Sequence, residues 1–339
     1  MLETSEKHIP KVSIIVPVHN AGERLYKCLD TLVNQTLREI EMILVLDCPS
    51  DGSDKIAKEY AAKDARIIIV ENPENLHIGQ SRNRGLEMAR GEFIGFSDHD
   101  DYRELNMYET LYREAKIDDS DLVVGVNFYF DKRVTISKIP DNLSVSEKKD
   151  FLLQDLIADG DDESAIPVAT NVHPNLYKTS FLRKEKIVFA DTRQYSPEDR
   201  IFQIHCLLYA EKIRIVSDRF YYHILHESSA VNDSNYKSCF TRAKGKELIY
   251  NLLKESGCFD VYKDFFYSSV KKEFTECLLN SLIFSGKISV FKRDRAYLKS
   301  FPFCYDAFCK AHFSYRKYRP GGKISRFVII LLMKIGFVS

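Results

Sequence analysis

Tryptophan is absent from this 339-residue chain, and no two of its eight cysteines are spaced as a CxxC pair. The second absence removes the usual signature of a zinc ribbon or a redox-active dithiol. Net charge is missing too. Forty-nine Lys and Arg balance 49 Asp and Glu, so global charge offers no argument for nucleic acid or for an acidic partner. No apolar run is long enough for a spanning helix; the nearest, residues 327–333, is far too short. Met1 is followed by the charged residues 3–7 rather than by a signal-peptide pattern. A cytoplasmic chain with reduced thiols is therefore expected. Internal repeats and low-complexity tracts are absent as well. What is present is ordinary globular material, 45% hydrophobic with 22 Phe and 19 Tyr. That is enough for one large domain and a smaller one.

Apolar runs and helical stripes alternate through the first hundred residues. Val12-Ser13-Ile14-Ile15-Val16-Pro17 is a β-branched run that reads as a buried parallel strand. Leu25, Cys28, Leu29 and Leu32 then recur at helical spacing. Strands are expected at 40–46, 65–70, 92–97 and 122–130, with helices at 53–63, 79–89 and about 105–116. Ser53 or Asp54 is the expected N-cap of the first of these. Such alternation predicts right-handed crossovers in an α/β, doubly wound, mostly parallel central sheet. Further along, 144–159 reads as a helix, Ser196-Pro197-Glu198-Asp199 as the opening of another, and 213–216 and 219–223 as two short strands. From about residue 235 the pattern is helical. The division expected is a domain over 1–235, with halves 10–125 and 126–235, followed by a helical C-terminal region over 236–339.

Chemistry-bearing residues fall at the ends of the strands. Asp98-His99-Asp100-Asp101 closes the run Gly91 to Ser97, where open α/β sheets bind ligands. Several hard oxygen donors in one turn suit Mg²⁺ or Mn²⁺, ions that commonly neutralise phosphate. Read alone, the tetrad is an acidic turn capping the next helix, His19 a turn histidine, Asp47 a strand-end cap and Arg82 a helix-surface charge. Read together, a flat ring (His19), a carboxylate able to accept a base N–H (Asp47) and a cation for phosphate (Arg82) fit a nucleoside diphosphate. Their joint order along one α/β unit favours the second reading.

Five segments carry a resemblance: residues 12–20, Gln35-Thr36, Asp47 to Ser53, Gly79-Gln80-Ser81-Arg82-Asn83-Arg84-Gly85, and Gly91 to Asp101. In this order they resemble the inverting family-2 glycosyltransferases of the GT-A fold, of the kind that builds bacterial envelope or capsular polysaccharide. The resemblance is dense over 10–125 and looser to about 235. It implies a nucleotide-sugar donor, most simply a UDP-sugar, and a glycan or lipid-linked acceptor. Pro17, His19, Asp47, Arg82 and Asp98 would lie against the nucleotide, and Asp100 with Asp98 would hold the metal. Asp101 would support the turn. Asp199 would be the base that deprotonates the acceptor hydroxyl, oriented by Glu198. His226 would be a further metal or phosphate ligand and Ser229 a phosphate donor. The chain departs from the family at Leu46 and Cys48-Pro49, where Asp-Asp-Gly-Ser is usual, and at Ile224, which stands nearest a missing arginine.

A sugar-nucleotide pyrophosphorylase would need a basic Gly-rich loop after strand one, and Pro17-Val18-His19-Asn20 has none. A non-catalytic nucleotide- or glycan-binding module would be favoured by loss of Asp100 or Asp199, and both are present. Basic and aromatic residues over 315–326 precede the apolar residues 327–338. They suit an in-plane anchor on the inner face of a membrane, or a helix docked on protein.

Overall fold

The computed structural model describes residues 9–129, 135–136, 139–140, 142–158, 165–166, 171–224, 236–285, 288–304 and 306–307. Strand and helix alternate as β1 (Val12–Val18), α1 (Arg24–Val33), β2 (Ile40–Leu46), α2 (Ser53–Lys63), β3 (Ile67–Glu71), α3 (His77–Met88) and β4 (Phe93–Phe96). Next come β5 (Tyr102–Arg103), α4 (Met107–Asp118), β6 (Leu122–Tyr129), β7 (Thr135–Ile136), α5 (Val145–Ala158), β8 (Ala165–Ile166) and β9 (Leu176–Lys178). The alternation closes with α6 (Thr179–Lys184), α7 (Glu198–Tyr209) and β10 (Ile213–His223).

One eight-stranded sheet runs β3-β2-β1-β4-β9-β6-β10-β5, and β7 pairs with β8 apart from it. The mostly parallel sheet anticipated from the sequence is present, with two antiparallel intrusions. β9 enters antiparallel between β4 and β6, and β5 lies antiparallel along β10. Every residue of β1 and β2 is buried. That is why both read as continuous apolar runs rather than alternating ones. Pro17 is tolerated because β1 pairs with β4 only as far as Ile15, so no ladder bond on that side is lost.

Strand order reverses at β1, whose neighbours β2 and β4 follow it by opposite routes. The crevice outside their carboxyl ends is where such sheets take ligands. Helix α3 lies hard against β1 there: a Cβ on Gly85 would sit 2.3 Å from Ile15 Cγ2. A larger residue would lift the helix and the Arg82 it carries.

Two local expectations are corrected. The cap of α2 is Gly52 at φ 94°, not Ser53 or Asp54, because the Ser53 hydroxyl is engaged elsewhere. The short strands at 213–216 and 219–223 are one eleven-residue strand, β10, with a register shift between Val216 and Arg219 that imitates a break in the sequence pattern. The turn Asp98 to Asp101 leads into β5 rather than capping α4, whose N-cap is Asn106.

The described residues form two compact units. The first holds the sheet and its helices. The second holds α8 (Tyr236–Glu255), α9 (Phe259–Ser285) and α10 (Ile288–Lys299), together with Tyr195–Pro197. Its core is aromatic, with Phe266, Phe274 and Phe303 buried and the Phe266 and Phe303 rings 5.2 Å apart edge-on. Arg242 on α8 pairs with the buried Glu273 on α9 at 2.7 Å. Among the described residues no helix is long and apolar enough to cross a membrane. The basic and apolar tail over 315–339 lies outside the described residues.

Candidate active site

The turn after β4 is held from beneath before it can hold anything else. Asp101 is buried, and its carboxylate accepts from the Tyr221 hydroxyl at 2.8 Å, the His223 ring at 3.0 Å and the Ile224 amide at 2.9 Å. Burial opposes charge on His223, but the hydrogen bond and charge of Asp101 prevail and raise its pKa. His223 is thus a latch on the turn. The His99 ring donates through Nδ1 to the Pro17 carbonyl at 3.0 Å and ties the end of β1 to the same turn. Below lies Arg103, buried, with Nη2 on the Ser97 hydroxyl at 2.7 Å and on the Asp101 carbonyl at 3.1 Å. Burial pushes the neighbouring Cys28 thiol above its ordinary pKa, so it is no nucleophile.

Asp98 is held differently, by positive and polarised groups. Its Oδ1 lies 3.2 Å from Arg82 Nη2 and 2.9 Å from His173 Nε2. Its amide donates to the Tyr221 hydroxyl at 3.1 Å. Burial penalises the Asp98 charge, yet His173 and Arg82 outweigh it and keep the carboxyl well below the usual carboxylate range. Arg82 is 2% exposed. Its other terminal nitrogen, Nη1, reaches Glu198 Oε1 at 3.0 Å, and the face of Phe189 lies 5.1 Å away. Burial, with the charge of Asp199, pushes Glu198 up to about 7 against the pull of Arg82.

On the other side of β1, His19 Nδ1 donates to the Asp47 carbonyl at 2.6 Å, and its Nε2 accepts from Asn20 Nδ2 at 3.2 Å. This sets the ring tautomer and its orientation. Asp47 is 3% exposed, and its Oδ1 takes the Leu76 amide at 2.7 Å and Asn72 Nδ2 at 2.8 Å. Ser53 receives the amides of Ala21 and Gly22, each at 3.0 Å, and donates to Asp51 at 2.6 Å. The loops after β1, β2 and β3 are thereby fastened into one wall. The wall presents an oriented imidazole beside a carboxylate whose bonds all come from neutral donors.

With this arrangement in view, similarity to known proteins decides the family. The profile described as Glycosyl transferase family 2 matches residues 13–167. The cholesterol galactosyltransferase of Borreliella burgdorferi is 31% identical over 275 residues, covering 76% of this chain and 73% of its own. The chain belongs to glycosyl transferase family 2. It is a glycosyltransferase by that membership. EpsJ of Bacillus subtilis, described as an uncharacterized glycosyltransferase, is 32% identical over 63% of this chain, and the match spans 60% of EpsJ's own length. Among solved structures, S. aureus TarS 1-349 in complex with UDP-GlcNAc superposes with a TM-score of 0.65 at 20% identity, over 88% of this chain and 83% of that one. A mannosyltransferase from Pyrobaculum calidifontis in complex with GDP-Man and Mn²⁺ gives 0.51 at 12% identity, over 89% and 86%. Both likenesses describe the GT-A fold.

The structure brings five of the anticipated family-2 residues into two groups: His19 with Asp47, and Asp98 with Glu198 through Arg82. Arg82, read in the sequence as a cation for phosphate or else a helix-surface charge, is here a buried brace between two carboxylates, so the surface reading is corrected. Asp100 is half-buried in the turn, and Asp199 is in the first turn of α7 with Oδ1 on the Arg200 amide at 2.7 Å. Pro17 is buried near the carboxyl end of β1. His226 and Ser229 lie outside the described residues. Among the described residues no three His, Cys, Asp or Glu side chains are grouped to hold a metal. The donors that are present are hard carboxylate oxygens in the turn after β4, a chemistry that suits Mg²⁺ or Mn²⁺ completed by ligand oxygens.

Two site residues escape sequence reasoning. His173 sits in a loop without periodicity, Val172-His173-Pro174, and nothing nearby marks it. Tyr221 is the inward residue of a strand, and only its hydroxyl, reaching the turn of Asp98, distinguishes it from core.

Proposed function

We propose that this glycosyltransferase is metal-dependent and inverting. It moves a sugar from a nucleoside-diphosphate donor, a UDP-sugar in the simplest case, to a hydroxyl of a glycan or lipid-linked acceptor during assembly of an envelope polysaccharide. The observation that carries the reading is the Arg82 brace. It joins the carboxylate at the end of β4 to Glu198 at the head of α7, so the donor-side and acceptor-side acids belong to one charged network.

In this reading the base lies against His19, with Asp47 accepting from it, and Asp98 faces the ribose and sugar. Asp199, in the first turn of a helix whose dipole favours negative charge, takes the acceptor's proton. The freed oxygen attacks the anomeric carbon from the face opposite the diphosphate. The bond from that carbon to the diphosphate oxygen breaks, and its electron pair leaves with the diphosphate. A divalent cation on Asp100 and Asp98 would supply charge to stabilise that leaving group. Glu198, held by Arg82, orients the neighbouring Asp199. TarS was solved with UDP-GlcNAc and the mannosyltransferase with Mn²⁺, which supports a panel built on those ligands.

The deciding experiment measures donor hydrolysis and transfer across UDP- and GDP-sugars with Mn²⁺, Mg²⁺ or EDTA. Activity on one nucleotide class, lost with EDTA and in Asp100→Ala, is expected. Near-normal turnover in EDTA would sink the metal-dependent mechanism. Asp199→Asn should keep donor affinity and lose on the order of a hundredfold or more in turnover. If Asp199→Asn is active while Glu198→Gln is dead, the two acids exchange roles. A place on the inner membrane surface belongs to the same proposal. Removing residues 323–339 should release the chain from anionic liposomes, with each basic residue there worth about 1 kcal/mol. Salt-insensitive binding would contradict it.

A further inference from the structure

We propose that His173 is a positioning residue of the donor site, fixing the Asp98 carboxylate in the attitude that receives the nucleotide sugar. The inference rests on the donor-site reading above. His173 is 4% exposed, and its imidazole is used in two directions at once. Along its edge, Nε2 meets Asp98 Oδ1 at 2.9 Å. Across its face, the ring stacks on Tyr221 with centroids 5.2 Å apart and planes 13° from parallel. The Tyr221 hydroxyl in turn receives the Asp98 amide at 3.1 Å and donates to Asp101 at 2.8 Å. One stacked pair therefore holds both the side chain and the main chain of Asp98.

The two nitrogens of His173 are not equivalent. Nδ1 is buried and has no hydrogen-bond partner, so the ring contributes its polarity through Nε2, which faces Asp98 Oδ1 at 2.9 Å and Arg82 Nη2 at 3.2 Å. A buried ring with one orphan nitrogen is a poor choice for packing alone, because the unpaired polar atom costs stability that a phenyl ring would not. Arg82, the second group on Asp98, divides its terminal nitrogens between Asp98 and Glu198. It cannot set Asp98 independently of the acceptor side. His173 meets no other carboxylate among the described residues, and its Nε2 also lies 3.2 Å from Arg82 Nη2, so it sits at the Asp98 end of that network.

The test uses the full chain carrying His173→Ala, His173→Gln or His173→Phe. Gln keeps an N–H donor near the Nε2 position and loses the stack; Phe keeps the stack and loses the donor. Each variant is first checked for its unfolding midpoint, then assayed for donor KM and kcat with the nucleotide sugar the wild type uses. For His173→Ala, donor KM should rise about tenfold or more with kcat within about threefold, the pattern of lost binding rather than lost chemistry. His173→Gln should recover most of that affinity. His173→Phe should remain weak in KM despite a near-normal unfolding midpoint. The opposite order, Phe restoring KM and Gln failing, would make His173 a packing residue and overturn the proposal, as would wild-type KM in all three. If the wild type uses and binds no nucleotide sugar of the panel, the donor-site reading itself falls and takes this inference with it.

Discussion

Asp47 and Asp98 are both carboxylates at the carboxyl ends of the parallel strands that flank β1, yet they live in opposite electrostatic settings. Asp47 takes an amide and a carboxamide, both neutral. Asp98 takes a guanidinium and an imidazole edge. The difference separates two tasks. Neutral donors can fasten loops, here those after β2 and β3, without drawing the charge off the carboxylate. A guanidinium and an imidazole edge keep the Asp98 carboxyl well below the usual carboxylate range, and they bind its fate to whatever else they touch. Through Arg82, that includes Glu198, 116 residues further along the chain.

The comparison breaks most visibly at Arg82. Arg82→Met removes the guanidinium and leaves two poorly solvated acids without their partner, so denaturant unfolding should show a loss of about 3–5 kcal/mol. A loss below about 1 kcal/mol would mean that the network is not paired as described. Asp47 should cost less. Asp47→Ala strands the Leu76 and Asn72 donors for about 1–3 kcal/mol. Asp47→Asn, which retains an acceptor, should stay within about 1 kcal/mol. If Asn is as damaging as Ala, the charge of Asp47 matters and the contrast with Asp98 is wrong.

The smallest effect is in pH. Glu198 sits at about 7 against an ordinary 4.5, so the folded state binds a proton that the unfolded state has released between these values. Its contribution is complete below pH 4.5 and disappears as pH rises through 7. Asp98, held low, has the opposite sign: its contribution is present above the ordinary 3.8 and lost as pH falls. Glu198→Gln should therefore flatten the decline of the unfolding midpoint between pH 4.5 and 7 while leaving the acid limb in place. An unchanged decline would place the titration elsewhere.

Much of the fold was legible because its signals are local. Continuous apolar runs marked β1 and β2, since both faces of a central parallel strand are covered. A helical stripe marked α1, and the order of strand-end polar groups pointed to a nucleotide crevice. The cap of α2 was not legible, because Ser53 is drawn away by the amides of Ala21 and Gly22, some thirty residues earlier. The continuity of β10 was hidden by its register shift. That Asp98 emerges at a strand end could be read from its position after an apolar run, but its partners could not.

By itself, then, the sequence determined the alternation of strand and helix, the family and the places where acids emerge from the sheet, all properties written within a few turns of chain. Only the tertiary structure decided what each acid faces. The insertion of β9 between β4 and β6 delivers His173 to Asp98, and the close seat of α3 on Ile15, permitted by Gly85, sets Arg82 between Asp98 and Glu198. His173 and Glu198 lie 91 and 116 residues from Arg82, which both of them touch. Their meeting depends on sheet order and burial, and no local pattern of residue types encodes it.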